Sequence, residues 1–225
     1  MDSTAQAIVL ADGSAGPREA IDAAWPGWCA ADPYVVAADG GARHAEPLGL
    51  RIDRWVGDGD SIDAELLARL AVAGVPIERM PPDKDESDTE LAVGVALAER
   101  PRSMVILGAL GGPRLDHALA NLGLLTLPEL HGIDVRLIAA DARVRVAWAG
   151  RTRLEGRIDD VVTLLPIGAD AMGVTTAGLA FPLHGETLLL GRTRGLSNRR
   201  THSAAELSLE SGRLLVVETP ATLSR

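Results

Sequence analysis

Basic residues are in short supply: 22 Lys and Arg stand against 31 Asp and Glu, giving the 225-residue chain a formal net charge of -9. A nucleic-acid backbone or an anionic membrane needs a basic surface, so neither is expected as a partner. A nucleotide whose phosphates arrive complexed with magnesium remains compatible. Cysteine is nearly absent. Cys29 is the only one, which excludes an intrachain disulfide and a cysteine-based metal site and fits a reducing compartment. The N-terminus shows neither the basic start nor the long apolar run of a signal peptide, and Ala7 to Ala11 is far too short to cross a bilayer. The expected location is the cytoplasm. Internal repeats and low-complexity tracts are missing, no Gly-Lys-Ser/Thr follows the glycine pairs as in a P-loop, and their spacing does not match a dinucleotide fingerprint.

What is present alternates. Apolar runs at Ala7–Leu10, Tyr34–Ala38, Arg54–Val56, Val75–Met80, Met104–Leu107 and Val135–Ala139 each empty into a polar loop. Helix-compatible stretches follow at Pro17–Ala24, Ala42–Leu48, Asp63–Ala73, through Leu91, Val95 and Ala98, and at Ala118–Leu125. This pattern predicts residues 1–140 as an α/β domain, a parallel sheet flanked by helices in the Rossmann-like manner. From Asp141 short Val-, Leu- and Thr-rich runs (Val144–Ala147, Val161–Leu165, Thr187–Leu190, Ala205–Leu209, Leu214–Glu218) are separated by Gly, Pro and Asn. Residues 141–225 are therefore expected to form a smaller all-β domain of sandwich or jelly-roll type.

In a parallel sheet the loops leaving the carboxyl ends of the strands gather along one edge, where ligands bind. Here those loops carry Asp39, Asp58, Asp60, Asp83, Asp85, Asp88 and Asp116, with Lys84, Arg114 and most of the paired glycines. In Gly57-Asp58-Gly59-Asp60-Ser61 the two carboxylates repel unless a divalent cation or a metal-polyphosphate complex sits between them. The same stretch also reads as a turn, with Asp60 or Ser61 capping a helix that starts at Ile62. Lys84 can reach a phosphate and Asp85 or Asp88 can add a metal ligand, while Ser87 and Glu90 are spaced as a capping box. Along Gly108 to His117, glycines let backbone amides approach a phosphate, Arg114 can grip one with two hydrogen bonds, and Asp116 can hold that arginine or the metal. His117 and Asn121 share a helix face. Asp39-Gly40-Gly41 is a strand-end turn whose acid could hold a ribose hydroxyl or position the site. Trp25, Trp28 and Trp55 are expected in the core, and Gly195-Leu196-Ser197-Asn198 reads as a hairpin tip.

Taken in order, Asp39-Gly40-Gly41-Ala42, Gly57-Asp58-Gly59-Asp60-Ser61-Ile62, Asp85-Glu86-Ser87-Asp88, Gly111 to Asn121, Gly178 to Leu183 and Gly195 to Asn198 give a chain that resembles the thiamine pyrophosphokinase family over nearly its whole length. The resemblance implies magnesium-dependent transfer of pyrophosphate from ATP to the hydroxyethyl oxygen of thiamine, releasing AMP. It also implies a homodimer whose site lies between the α/β domain of one subunit and the β domain of the other. By that likeness Asp58, Asp60 and Asp88 hold magnesium, and Asp39 and Asp116 complete the acidic, catalytic set. Gly40, Gly41, Ser61, Lys84, Thr89, Gly111, Gly112, Arg114 and Asn121 serve ATP, while Ser197 and Asn198 face thiamine. Three positions depart from the family pattern: Gly59 replaces a bulky residue, Pro113 separates the glycine pair from Arg114, and no tryptophan follows Glu218. The competing readings are a pyrophosphokinase for another heterocyclic alcohol such as a pterin, a catalytically silent MgATP-binding regulator, and a metal-dependent phosphohydrolase.

Overall fold

A computed structural model describes residues 4–223, a mixed α/β chain that divides into two compact units, Met1–Ala140 and Asp141–Arg225. In the first unit the strands are β1 (Gln6–Leu10), β2 (Tyr34–Ala38), β3 (Arg54–Gly57), β4 (Ile77–Arg79), β5 (Ser103–Leu107) and β6 (Asp134–Ile138). They pair in parallel in the order β6-β5-β1-β2-β3-β4. The central strand β1 is buried along its whole length, as its unbroken apolar run requires of a strand covered on both faces. Because the chain runs from β1 outward through β4 and then returns to β5 on the other side, the direction of winding reverses between β1 and β5 at the carboxyl edge. A crevice opens there.

Helices α1 (Arg18–Ala24), α2 (Ala64–Val72), α3 (Asp88–Ala98) and α4 (Leu115–Leu124) connect the strands. Trp25, Trp28 and Trp55 lie in the core beside Ile8, Leu10 and Leu107, and their ring N–H groups donate to Ala139 O, Asp22 Oδ1 and Asp39 O. Two expectations need correction. The stretch Ala42–Leu48 is not a helix: a 3-10 turn covers Asp39–His44, because the glycine pair disfavours helix and Pro47 pushes Glu46 away from helical backbone angles. Helix α2 starts at Ala64 rather than Ile62, capped by Asp63, whose carboxylate accepts the Glu65 and Leu66 N–H groups at 3.0 Å. Asp60 and Ser61 are therefore not caps.

The second unit contains β7 (Arg143–Glu155), β8 (Val161–Pro166), β9 (Ala171–Ala177), β10 (His184–Leu188), β11 (Asn198–Arg199) and β12 (Ala204–Thr219), and its pairings are all antiparallel. The runs expected as two strands at Ala205–Leu209 and Leu214–Glu218 are one long strand. It shifts register between Leu209 and Arg213, where Gly212 takes a positive φ of 85°. The first half of β12 pairs with β9 and the second with β8, while β7 follows both. The unit is thus built on two long shared strands rather than on two separate sheets. Side chains such as Leu154, Leu164, Val174, Leu207 and Val216 fill its core. The sequence reading missed β9, whose Gly173 interrupts the strand signal. Gly195 to Ser197 is a turn leading into β11, which begins at Asn198 and pairs with the distant β8, not with a hairpin neighbour.

Charge is buried in this unit as well. Glu218 accepts from Arg143 Nε at 2.8 Å and from Arg200 Nη2, and both its side chain and that of Arg200 are almost fully enclosed. Burial alone would push the Glu218 carboxyl up, but the bond from Arg143, with Arg145 and Arg200 close by, holds it below its ordinary value of 4.5. The stability this group contributes is fully present above that ordinary value and is lost as pH falls through the lower folded one. An acid titration followed by circular dichroism is expected to show this loss for the parent chain, with a flatter acid limb in Glu218→Gln. Identical limbs would contradict it.

Candidate active site

The acidic loops meet at the carboxyl ends of β2 and β3. Asp39 follows β2 in the left-handed backbone region, φ 41°, with its side chain buried. Its Oδ2 accepts from the Ser61 backbone N–H at 3.0 Å and from Ser61 Oγ at 2.8 Å, and Ser61 Oγ in turn accepts the Gly40 N–H at 3.1 Å. Glycine is required at 57, since a Cβ there would stand 2.8 Å from Asp39 Cβ. The same logic places Gly40 and Gly41. Their missing side chains would meet Asp12 Oδ1 at 2.2 Å and Leu10 O at 2.0 Å, so these glycines pack loops together beneath the cleft and do not line it.

Asp39, Asp58 and Asp60 each present an oxygen within 4.8 Å of the others. Asp39 Oδ1 is buried without a hydrogen-bond donor among the described residues, a costly state for a carboxylate unless a cation satisfies it. The repulsion is visible in the proton affinities. Contact with Asp39 and the charge of Asp58 raise the Asp60 carboxyl, whereas the Asp60 backbone N–H and then Lys84 lower that of Asp58. Lys84, the only lysine in the chain, lies 3.3 Å from Asp58 Oδ2 and 3.1 Å from Asp88 Oδ1. Burial would lower its ammonium, but the two carboxylates raise it. Asp88 itself is raised, its burial outweighing the help of Lys84. The third member of the tight cluster is thus Asp39, and Asp88 joins it through Lys84; Asp85, the alternative to Asp88, is exposed.

A cleft of about 400 Å³ opens beside this cluster, lined by Asp39, Asp60, Ser61, Lys84, Asp88, Thr89, Gly111, Gly112, Arg114 and His117 among others. Gly108 (φ 71°) and Gly13 let the loops after β5 and β1 touch: a Cβ on Gly13 would fall 2.1 Å from Gly111 O. Asn121 is buried, and its amide donates to Ala109 O at 3.1 Å, which ties this glycine loop to α4. Helix α4 begins three residues earlier than expected, so Asp116 sits in its first turn, where the helix dipole favours an acid. Asp116 holds Arg114 through two bonds of 2.9 and 2.6 Å, and that arginine keeps its carboxyl far below the usual range. Of the two roles open to Asp116, this arrangement uses the arginine.

The sequence reading passed over Asp12 and Gly13, which also line the cleft, and Arg43, which bonds the Asp12 carboxylate and the Gly40 carbonyl. The strand-end rule applied to Ala11-Asp12-Gly13 after β1 would have found them. In the second unit, Ser197 takes a positive φ of 56° and borders a groove with Phe181 and Arg199. Asn198 does not face that groove as an open ligand. It is buried, its Oδ1 accepts from the Phe181 and Arg199 N–H groups, and its amide donates to Phe181 O at 2.6 Å.

Clustered carboxylates, a half-buried ammonium and a glycine-walled cleft at the switch point of a parallel sheet make a site whose chemistry suits a polyphosphate together with a divalent cation. The family model "Thiamin pyrophosphokinase, catalytic domain" matches residues 28–137, and "Thiamin pyrophosphokinase, vitamin B1 binding domain" matches residues 151–214. A curated relative, thiamine pyrophosphokinase of Bacillus subtilis (strain 168), is 29% identical over 164 residues, covering 72% of this chain and 76% of its own. The crystal structure of thiamine pyrophosphokinase from Bacillus subtilis superposes with a TM-score of 0.84 at 24% identity over 96% of this chain and 99% of that one. The yeast thiamin pyrophosphokinase structure gives 0.76 at 15% identity over 99% and 88%, a likeness of fold. The chain belongs to the thiamin pyrophosphokinase family.

Proposed function

We propose that this protein transfers pyrophosphate from ATP to thiamine, giving thiamine diphosphate and AMP. The hydroxyethyl oxygen of thiamine attacks the β-phosphorus in line, and the bond from that phosphorus to the oxygen of the α-phosphate breaks. The bonding pair leaves with AMP and the alcohol loses its proton. Such a transfer is driven by positioning and charge neutralisation rather than covalent chemistry. Magnesium fits the donor set of Asp58 and Asp60 with the buried Asp39 oxygen, and when bound there it would neutralise triphosphate charge. Lys84 and Arg114 contribute fixed positive charge, the loop through Gly111 and Gly112 offers backbone N–H groups, and Ser61 and Thr89 stand at the same wall. Asp88 keeps Lys84 in place. Asp116 is a poor proton acceptor while Arg114 holds it ionised, which leaves it as the arginine's anchor.

In this reading the Rossmann-like unit serves the nucleotide and the antiparallel β unit serves thiamine. The protein acts in the cytoplasm as a homodimer, each site drawing on both subunits. No described helix is long and apolar enough to cross a membrane. The observation that carries the proposal is the convergence of Asp39, Asp58 and Asp60 beside Lys84. The family match favours thiamine over a pterin and an enzyme over a silent regulator. The expected result of an assay with ATP and magnesium is AMP formation that depends on thiamine and stops when the metal is withheld. AMP release with a pterin but not thiamine, or phosphate release with water alone, would overturn it.

A further inference from the structure

The groove in the second unit, about 510 Å³, takes its walls from four separated segments: Asp159 before β8, Phe181, Ser197 with Arg199, and Ala221. Phe181 is the only phenylalanine in the chain and is 66% exposed, although Asn198 holds its backbone N–H and carbonyl. Asp159 and Ala221 are fastened to one buried group of charges that Arg199 adjoins in sequence, while the Ser197 N–H is held by the Thr163 hydroxyl at 3.0 Å. The Asp159 N–H donates to Arg200 O and the Arg200 N–H to Asp160 O, both at 3.0 Å. The Ala221 N–H donates to Asp160 Oδ1 at 3.0 Å.

At the centre of the group, Arg200 donates through Nη1 to Leu154 O at 2.6 Å and through Nη2 to Glu218, which Arg143 also binds. Arg143 reaches on to Glu155 O at 2.7 Å. Gly156 is glycine because a Cβ there would stand 2.7 Å from Arg200 Nε. That Nε is itself buried without an acceptor among the described residues. An ion pair enclosed this fully is a poor source of stability, since well-packed apolar side chains of equal volume do as well or better. What it does supply is a fixed geometry: the planar fork joins the Leu154 carbonyl to the Glu218 carboxylate and so fixes Arg200, whose backbone in turn holds Asp159 and Asp160.

We propose that the buried Glu218–Arg200 pair, braced by Arg143, is the positioning element of the thiamine-facing groove. The pair does not touch substrate. It sets the spacing between Phe181, Ser197, Asp159 and Ala221 against which the flat cationic heterocycle packs. This rests on the functional reading above.

The test is steady-state kinetics on Arg200→Met/Glu218→Gln, which removes one charge of each sign and leaves Arg143 an oxygen acceptor, with Arg200→Lys as the conservative variant. The double variant is expected to raise the KM for thiamine about tenfold or more, in keeping with the cost of misplaced binding groups, while the KM for ATP stays unchanged. Arg200→Lys is expected to recover part of that loss. Hydrogen exchange on the unaltered protein gives a second readout that no folding defect can obscure. Thiamine is expected to slow exchange together at the amides of Asp159, Arg200 and Ala221. An unchanged thiamine KM in the folded double variant, a parallel rise in both KM values, or no protection at those amides would overturn the proposal. Failure of the functional reading looks different, because the unaltered protein would then make no AMP with thiamine.

Discussion

Asp60→Asn is expected to lower thiamine-dependent AMP formation by about a hundredfold or more, the scale of losing one preorganised electrostatic group. The fold is expected to survive. The Asp60 side chain is exposed and caps no helix, because Asp63 does that work for α2. Its carboxyl is raised by Asp39 and Asp58, so at neutral pH the ionised form is less favourable in the folded chain than in the unfolded one. Neutral asparagine relieves that repulsion, and the Tm measured in a chelator is expected to rise slightly while turnover collapses. Added magnesium is expected to stabilise the parent chain and not the variant. Loss of stability opposed to gain of function is the mark of a site assembled for a ligand rather than for the fold. Unchanged turnover in a folded Asp60→Asn protein would remove this residue from the site.

Gly41→Ala is expected to be the most damaging single methyl group in the first unit. Its Cβ would lie 2.0 Å from Leu10 O, 2.7 Å from Leu10 C and 2.9 Å from Ala11 C, all backbone atoms at the end of the central strand. Neither a rotamer change nor a loop adjustment can relieve contacts of that kind. The expected cost is about 3 kcal/mol, the upper range for an overpacked interior site. For a chain of this size that corresponds to a fall in Tm of roughly 10 °C. Activity is expected to fall too, because Asp39 lies two residues away in a turn that cannot move alone. Gly94→Ala is the control: it lies within α3 with open space where its Cβ would be, and is expected to gain up to about 1 kcal/mol from helix propensity. Thermal unfolding of the two variants side by side checks both expectations, and a neutral Gly41→Ala would contradict the packing argument.

The parallel unit was legible because its strands are unbroken apolar runs and its ligands come from strand ends, a rule of topology that needs no coordinates. Asp58 and Asp60 could be paired on that basis alone. What the sequence could not resolve was which other carboxylate approaches them. Asp39 lies far along the chain and becomes the third member only because a left-handed backbone and the Ser61 hydroxyl turn it inward. Asp88 and Asp116 are acids of the same edge, yet each is engaged by a cation, Lys84 and Arg114 respectively. Local chemistry also misled at Ser61, which has the composition of an N-cap but serves Asp39. In the β unit, short Val- and Leu-rich runs look alike whether they belong to separate strands or to one long strand bent at Gly212, so β12 was divided and β9 overlooked. Asn198 reads as a polar surface residue, and only its three backbone partners identify it as the clamp on Phe181.

The most direct measurement is calorimetric titration of the unaltered protein and of Asp60→Asn with a nonhydrolysable ATP analogue, in magnesium and again in chelator. The expected result is tight binding by the unaltered protein only when magnesium is present, with that metal dependence abolished by the substitution. Equal affinity for the analogue with and without magnesium would contradict a site in which Asp39, Asp58 and Asp60 receive the triphosphate through a shared cation.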